Sequence, residues 1–167
     1  MGETLYFFDN FFSSGKTDIY TEQKAIIGYL DLKSAFSEGV NILDENGNLL
    51  LRGYTPFFSN KWNIVDPNET TVGILRERFA LFQKLYEYQA DNGETFTIES
   101  EAFSRDYTII DTADKVSCNF KRVDGFFESP AFQLTNFSET IPSTEWIAVV
   151  MGVNAIQKRR RNNAAAT

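Results

Sequence analysis

Three basic residues in neighbouring predicted strands are the strongest candidates for ligand chemistry. Arg76 and Arg78 alternate onto one face of a strand, and Lys84 lies on the next strand. Cations that converge on one sheet face can hold a phosphate group or a lipid headgroup. The same cations could instead solvate the sheet face in ion pairs with Glu77 or Glu87. The sequence predicts a ligand-binding role and leaves the ion-pair alternative open.

A second segment, Asn10–Thr17, ends in Gly-Lys-Thr like a phosphate-binding loop. Asn10 stands where that motif has its first glycine, and Asp18–Thr21 is typical of a strand rather than a helix. Without the glycine and a following helix N-terminus, the cradle of backbone N–H groups is missing. We therefore interpret this segment as an ordinary turn.

Aromatic pairs and a basic run are candidates for contact with a membrane or a partner. Phe126 and Phe127 follow Asp124-Gly125, so on an exposed loop they could dip into a membrane surface. Consecutive residues of a strand face opposite ways, which favours a core residue beside a rim residue for this pair and for Phe57-Phe58. A basic run could engage anionic lipid at about 1 kcal/mol per charge, although such runs are also common solubilising tails. This run consists of Lys158, Arg159, Arg160 and Arg161.

The amino-acid composition excludes several catalytic mechanisms and types of site. The 167 residues include no histidine and one cysteine, Cys118, which excludes an imidazole base, a Cys/His zinc site and an intramolecular disulfide. The net charge is −7 although the basic run holds four of the 16 basic residues, so the rest of the chain is more acidic still. An acidic body repels phosphate backbones, and we expect no nucleic-acid partner. We also expect no metal and no cofactor.

The residues before the basic run predict a β-sheet protein with one terminal helix. Short alternating segments rich in β-branched and aromatic residues are separated by Gly, Asn, Asp and Pro turns. The predicted strands are Leu5–Asp9, Asp18–Thr21, Ala25–Leu30, Val40–Leu43, Leu49–Tyr54, Trp62–Val65, Val72–Arg78, Phe82–Gln89, Thr95–Ser100, Tyr107–Ile110, Lys115–Arg122 and Ala131–Phe137.

Four strands end at an aspartate that is followed by a polar turn and a second strand. Asp44, Asp66, Asp91 and Asp111 occupy this position. An aspartate side chain can accept hydrogen bonds from the backbone two residues on, which suits tight hairpins. A hairpin repeat of this length predicts a barrel or a sandwich rather than a solenoid.

The segment Thr144–Gln157 predicts a helix that is buried in the core. Its large side chains surround most of the circumference, so almost no side is left for water. The apolar stretch Ile147–Ile156 is about 15 Å long, whereas a bilayer requires about 20 residues, and we predict no transmembrane segment. One narrow smooth face consists of Ala148, Gly152 and Ala155.

The order of these elements resembles the tubby C-terminal-like superfamily, which includes tubby-like, LURP-one-related and phospholipid scramblase proteins. The resemblance implies a mainly β fold, a closed antiparallel barrel of about twelve strands that encloses the hydrophobic C-terminal helix. It also implies a single domain with a barrel over 1–141, a central helix over 142–161 and a frayed tail over 162–167. The segments that carry it are Val40–Gly47, Trp62–Asp66, Val72–Leu75, Tyr107–Asp111, Val116–Lys121 and Trp146–Ile156.

Functions in this superfamily include phosphoinositide docking and lipid movement, and many small bacterial and plant members have no assigned activity. We expect a small bacterial member that is a non-enzymatic binding or scaffold protein, cytoplasmic or peripheral to the membrane. Its expected partners are an anionic lipid or membrane surface, or another protein. One alternative is a hydrolase that uses a carboxylate pair such as Glu99 and Glu101, and another is a purely structural interaction module.

Overall fold

The structure is a computed structural model that describes residues 2–12, 15–32, 39–79, 84–100 and 105–165. The side chains of Phe11 and Lys84 lie outside this description. Twelve antiparallel strands form a closed barrel in which each strand pairs with its neighbours in sequence and the first strand pairs with the last. One long helix follows. The predicted mainly β barrel with a C-terminal helix is confirmed.

The strand boundaries lie within three residues of the predicted ones. A short 3-10 helix, Asp9–Phe12, separates the first two strands, and the long helix α1 spans Ser143–Ala165. The strands are β1 (Glu3–Phe8), β2 (Gly15–Thr21), β3 (Ile26–Leu32), β4 (Gly39–Asp44), β5 (Leu49–Tyr54), β6 (Trp62–Val65), β7 (Thr71–Arg78), β8 (Lys84–Ala90), β9 (Thr95–Ser100), β10 (Tyr107–Ile110), β11 (Val116–Val123) and β12 (Ala131–Asn136).

The two ends of the barrel differ in their connections. Turns of four or five residues follow β2, β4, β6, β8 and β10, and we call this the short-turn end. Connections of five to seven residues follow β1, β3, β5, β7, β9 and β11 at the opposite end, which we call the long-loop end. Helix α1 begins at the short-turn end, where the Ser143 hydroxyl donates to the Glu3 carboxylate at the start of β1.

Turns at the short-turn end share one hydrogen-bonding scheme. Asp44 Oδ1 accepts the backbone N–H groups of Asn46 and Asn48, each at 2.9 Å, and Asp66 and Asp111 act in the same way. The fourth predicted unit differs by one residue. There Ala90 occupies the position of the aspartate, because its N–H donates to the carbonyl oxygen of the residue four positions on, as the N–H of Asp44 does.

The core forms around α1, whose residues from Ser143 to Val153 are buried apart from the half-buried Thr144. Its small face lies against Trp62 of β6, and the Trp62 indole N–H donates to the carbonyl oxygen of Ala148 at 3.1 Å. A Cβ atom added at Gly152 would lie 2.4 Å from the Trp62 ring, and one added at Gly53 would lie 2.5 Å from it. Two glycines thus leave the space that this indole fills.

The helix extends beyond its predicted end. It continues to Ala165, so residues 162–165 are helical, whereas the sequence predicted a frayed tail from residue 162. Side chains become half-buried or exposed after Val153, which places the last turns of α1 outside the barrel at the long-loop end. The fraying of this end stays a prediction.

Candidate functional site

Three phenylalanines project from the long-loop end. Phe57 and Phe58 lie in the connection between β5 and β6, and Phe79 directly follows β7. Their side chains are 88%, 94% and 92% exposed. Strands β6 and β7 pair with each other, so the two connections are neighbours at the rim. Apolar side chains exposed this fully are costly to hydrate, and clusters of them mark contact sites.

Helix α1 leaves the barrel beside this aromatic rim. An Nη1 atom of Arg159 donates to the carbonyl oxygen of Ser59 at 2.7 Å, which ties the helix to the connection that carries Phe58. Arg160 forms an ion pair with Glu77 of β7. Arg159 and Arg160 therefore contact the connection that carries Phe58 and the strand that precedes Phe79.

An open cavity of about 630 Å³ lies between the end of α1 and the connection from β5 to β6. Its lining provides guanidinium, amide and hydroxyl groups together with the apolar walls of Ile156 and Phe58. Cavities of this volume accommodate small organic ligands. The lining residues are Thr55, Phe58, Ser59, Asn60, Glu77, Ile156, Arg159, Arg160 and Asn163.

The loop tip has an unusual backbone. Phe58 has a φ of 60°, in the left-handed region that bulky residues rarely occupy. A turn holds this conformation, because the N–H of Ser59 donates to the carbonyl oxygen of Pro56 at 3.0 Å. The Ser59 hydroxyl oxygen in turn accepts the N–H of Lys61 at 3.1 Å. Such strained residues cluster at functional sites, although they also occur in tight turns.

The first predicted site, built on Arg76 and Arg78, is partly neutralised. Nε of Arg76 lies 3.0 Å from Oε1 of Glu87, and Nη1 of Arg78 lies 3.1 Å from Oε2 of the same carboxylate. The Glu87 side chain is only 10% exposed beneath the two guanidinium groups. This is the ion-pair arrangement that the sequence left open. Lys84 begins β8, and the contribution of these residues to ligand binding stays a prediction.

The predicted contact pair Phe126 and Phe127 packs on the outer wall of the barrel. The ring of Phe126 stacks on Tyr6 with centroids 3.6 Å apart, and the ring of Phe127 stacks on Phe8 at 4.1 Å. Both side chains are half-buried. The arrangement matches a rim position, and a membrane or partner contact by this pair stays a prediction.

The sequence pattern favoured Phe57 and Phe58 as consecutive residues of a strand. The available signal was Pro56, which lacks a backbone N–H and favours the end of a strand. Phe79 gave no signal, because it directly follows the alternating pattern of β7. The basic run itself is helical, and Lys158, Arg160 and Arg161 are exposed while Arg159 is half-buried.

Groups that could support catalysis are unfavourably placed. Burial raises the pKa of the Cys118 thiol well above its usual range, which keeps the thiol protonated. Glu99 is exposed on β9, and Glu101 of the proposed carboxylate pair lies outside the described residues. In the part of the chain that the structure describes, no group of three or more Cys, Asp or Glu side chains is arranged to hold a metal ion.

One carboxyl group is buried at the start of α1. The Tyr88 hydroxyl donates to Glu145, and burial raises the pKa of that carboxyl above its ordinary value, with Asp91 and Glu94 adding to the shift. Burial also raises the pKa of Tyr88. This pair lies on the short-turn side of the core, far along α1 from the basic run.

Among the described residues, no helix combines the length and the apolar character needed to cross a bilayer.

Comparisons with known proteins agree on one family. The family model of LURP-one-related proteins matches residues 4–151, from β1 into the buried part of α1. No curated protein matches the chain. An X-ray structure of a protein from Arabidopsis thaliana superposes with a TM-score of 0.62 at 9% identity, covering 92% of this chain and 91% of that chain, and this likeness supports the fold alone. Because the family model covers most of the barrel and its central helix, the chain belongs to the LURP-one-related family.

Proposed function

We propose that this protein is a non-catalytic binding module that holds the phosphate group of an anionic lipid at its long-loop end. The family is generally non-enzymatic and of a binding type. The observation that carries the proposal is the open cavity of about 630 Å³, which Arg159 and Arg160 line together with side-chain amides and hydroxyls.

The cavity has the chemistry that phosphate groups require. An arginine presents five N–H donors in a planar fork that matches phosphate oxygens, so the ion pair of Arg160 with Glu77 is compatible with a second contact to a ligand. Amide donors of Asn60 and Asn163 and the Ser59 hydroxyl lie on the same lining. A phosphate that enters this cavity would accept hydrogen bonds from these donors.

Charge distribution supports an oriented encounter with an anionic surface. The basic run lies at the long-loop end, whereas Asp44, Asp66 and Asp111 lie at the short-turn end of a chain whose net charge is −7. An anionic surface attracts one end and repels the other, which favours one orientation during approach. Anionic lipids are concentrated on the cytoplasmic leaflet, so this proposal places the protein in the cytoplasm, peripheral to the membrane.

The test is co-sedimentation with vesicles, using a double variant and a matched control. We expect the wild type to bind vesicles that contain phosphatidylserine at low salt and to release them at high salt. Arg159→Gln/Arg160→Gln should weaken binding by about 30-fold, at about 1 kcal/mol per charge. Arg52→Gln/Lys115→Gln is the control, because it also removes two positive charges, one in an ion pair with Glu69 and one in the turn after β10.

A titration with a soluble phosphate compound distinguishes a lipid ligand from a free phosphate compound. Calorimetric titration with glycerol 3-phosphate should give no more than weak binding if the bilayer is the natural source of the phosphate group. Tight binding of the soluble compound, lost in Arg159→Gln/Arg160→Gln, would assign the cavity to a soluble ligand instead. Absence of any vesicle binding by the wild type would refute the lipid proposal and leave a protein scaffold as the function to pursue.

A further inference from the structure

We propose that the long-loop end inserts into the bilayer, with the rings of Phe57, Phe58 and Phe79 entering the boundary between headgroups and acyl chains. The inference rests on the proposed function and adds a mode of attachment that the cations alone do not provide. Its occupant is a lipid bilayer with anionic headgroups.

These three rings are far more exposed than the other apolar side chains that the structure describes. Their side chains are 88–94% exposed, whereas the other large exposed apolar side chains among the described residues are 37–45% exposed. A ring exposed to that degree contributes little to the folded core, so stability does not explain its position. The three rings lie on two neighbouring connections of the long-loop end, and we call Phe57, Phe58 and Phe79 together the aromatic tip.

The tip is presented by a fixed backbone. The left-handed conformation of Phe58 and the turn between Pro56 and Ser59 define the backbone of the loop. The rings of Phe57 and Phe58 lie 4.2 Å apart between centroids and so form one contact surface. Arg159 holds the loop from the side of α1 through the carbonyl oxygen of Ser59. A preformed tip loses little conformational freedom on insertion.

Basic residues accompany the exposed rings. Lys61 ends the connection that carries Phe57 and Phe58, Arg78 immediately precedes Phe79, and Arg159 donates to the carbonyl oxygen of Ser59. Apolar rings beside exposed cations match the boundary of an anionic bilayer, where rings enter the apolar layer while cations remain among the headgroups. A bilayer fits the aromatic tip better than a protein groove does, because exposed cations lie beside its rings in the chain and the rings belong to two separate connections.

Insertion would fix the orientation of the barrel on the membrane. Helix α1 enters at the short-turn end and leaves at the long-loop end. The short-turn end, with its aspartate turns, would face away from the lipid. In this orientation the cavity beside Arg159 and Arg160 opens at headgroup depth, next to the inserted rings.

A tryptophan placed at the tip tests insertion directly. Phe58→Trp should show a blue shift of its emission when phosphatidylserine vesicles are added, and quenching when the acyl chains are brominated. Phe137→Trp is the matched control, because Phe137 is 45% exposed at the opposite end of the barrel. The native Trp62 and Trp146 are buried, and the wild-type protein supplies their unchanged background.

Removal of the rings provides a second readout. Phe57→Ser/Phe58→Ser/Phe79→Ser should weaken vesicle binding by about hundredfold while the melting temperature stays unchanged, whereas Phe137→Ser should not alter binding. Vesicle binding without a spectral shift in Phe58→Trp, or without loss in the triple variant, would overturn insertion and leave the phosphate-binding proposal intact. Failure of the wild type to bind any vesicle would overturn both proposals.

Discussion

The two ends of the barrel are built from different kinds of connection. At the short-turn end, Asp44, Asp66 and Asp111 accept the N–H groups of their own turns, and Thr21 and Ala90 occupy equivalent positions. The hydrogen bonds that hold these turns form within each turn. At the long-loop end, connections are longer, apolar rings face solvent, and the end of α1 brings cations to the rim. Local hydrogen bonding explains the first end but gives no reason for the exposed rings of the second.

The two halves of α1 have different roles. Its first half fills the barrel and its last turns stand outside, so one helix both closes the core and supplies the basic run.

The largest expected effect comes from shortening the helix. A chain that stops before Trp146 loses a helix half whose buried side chains contribute on the order of 10 kcal/mol, and it should not fold. A chain that stops after Gln157 keeps every buried helix residue. It should melt cooperatively, as circular dichroism would show, but fail to bind anionic vesicles. Loss of cooperative melting in the longer chain would contradict this division.

The second prediction concerns the close approach of α1 to β6. Gly152→Ala should destabilise the protein by about 2–3 kcal/mol, because the new methyl group would lie 2.4 Å from the Trp62 ring. Denaturant unfolding measures this change. The sign is diagnostic, because Gly→Ala at an exposed helix position stabilises by about 1 kcal/mol. A stabilised Gly152→Ala variant would show that the helix does not press against this wall.

A smaller effect is expected from the turn aspartates. Asp44→Ala should lower the melting temperature measurably, since the N–H groups of Asn46 and Asn48 then lose the acceptor that holds the turn. Hydrogen bonds from that turn lower the pKa of Asp44, so its stabilising contribution should fade as the pH falls through the lowered pKa. Phe58→Ser at the other end should leave the unfolding free energy within about 0.5 kcal/mol. Equal losses of stability in Asp44→Ala and Phe58→Ser would contradict the difference between the two ends of the barrel.

The smallest effect concerns the buried carboxyl Glu145. Because burial raises its pKa in the folded state, the folded protein binds the proton more tightly than the unfolded chain. Stability should therefore fall as the pH rises from the ordinary carboxyl pKa through the raised one. Glu145→Gln keeps an acceptor for the Tyr88 hydroxyl and should flatten this slope, with higher stability at neutral pH. Asp91 and Glu94 face the same group, so the slope should be measured with both present.

Much of the fold could be predicted because local patterns determine it. Alternation located the twelve strands, and Asp-centred turns set their hairpins. The all-round apolar pattern identified the buried helix. Asp91 was assigned one position too far, since Ala90 has the backbone role without the side chain.

The candidate site was harder to predict, because it depends on connections that are distant in sequence. The contact of Arg159 with Ser59 joins residues 100 positions apart, and no local pattern signals it. The exposure of Phe57 and Phe58 arises from a turn after Pro56, whereas strand alternation favoured a core residue beside a rim residue. The pairing of Arg76 and Arg78 with Glu87 follows from the register of β7 with β8, which the sequence left open.

The most direct test of the claim that the long-loop end is the binding end is vesicle co-sedimentation with two charge-matched variants. Lys158→Gln/Arg161→Gln and Lys24→Gln/Lys115→Gln each remove two exposed positive charges, the first pair at the long-loop end and the second at the short-turn end. We predict about 30-fold weaker binding to phosphatidylserine vesicles for the first variant and unchanged binding for the second. Equal losses in both variants would contradict the claim, because net charge rather than one end of the barrel would then govern attachment.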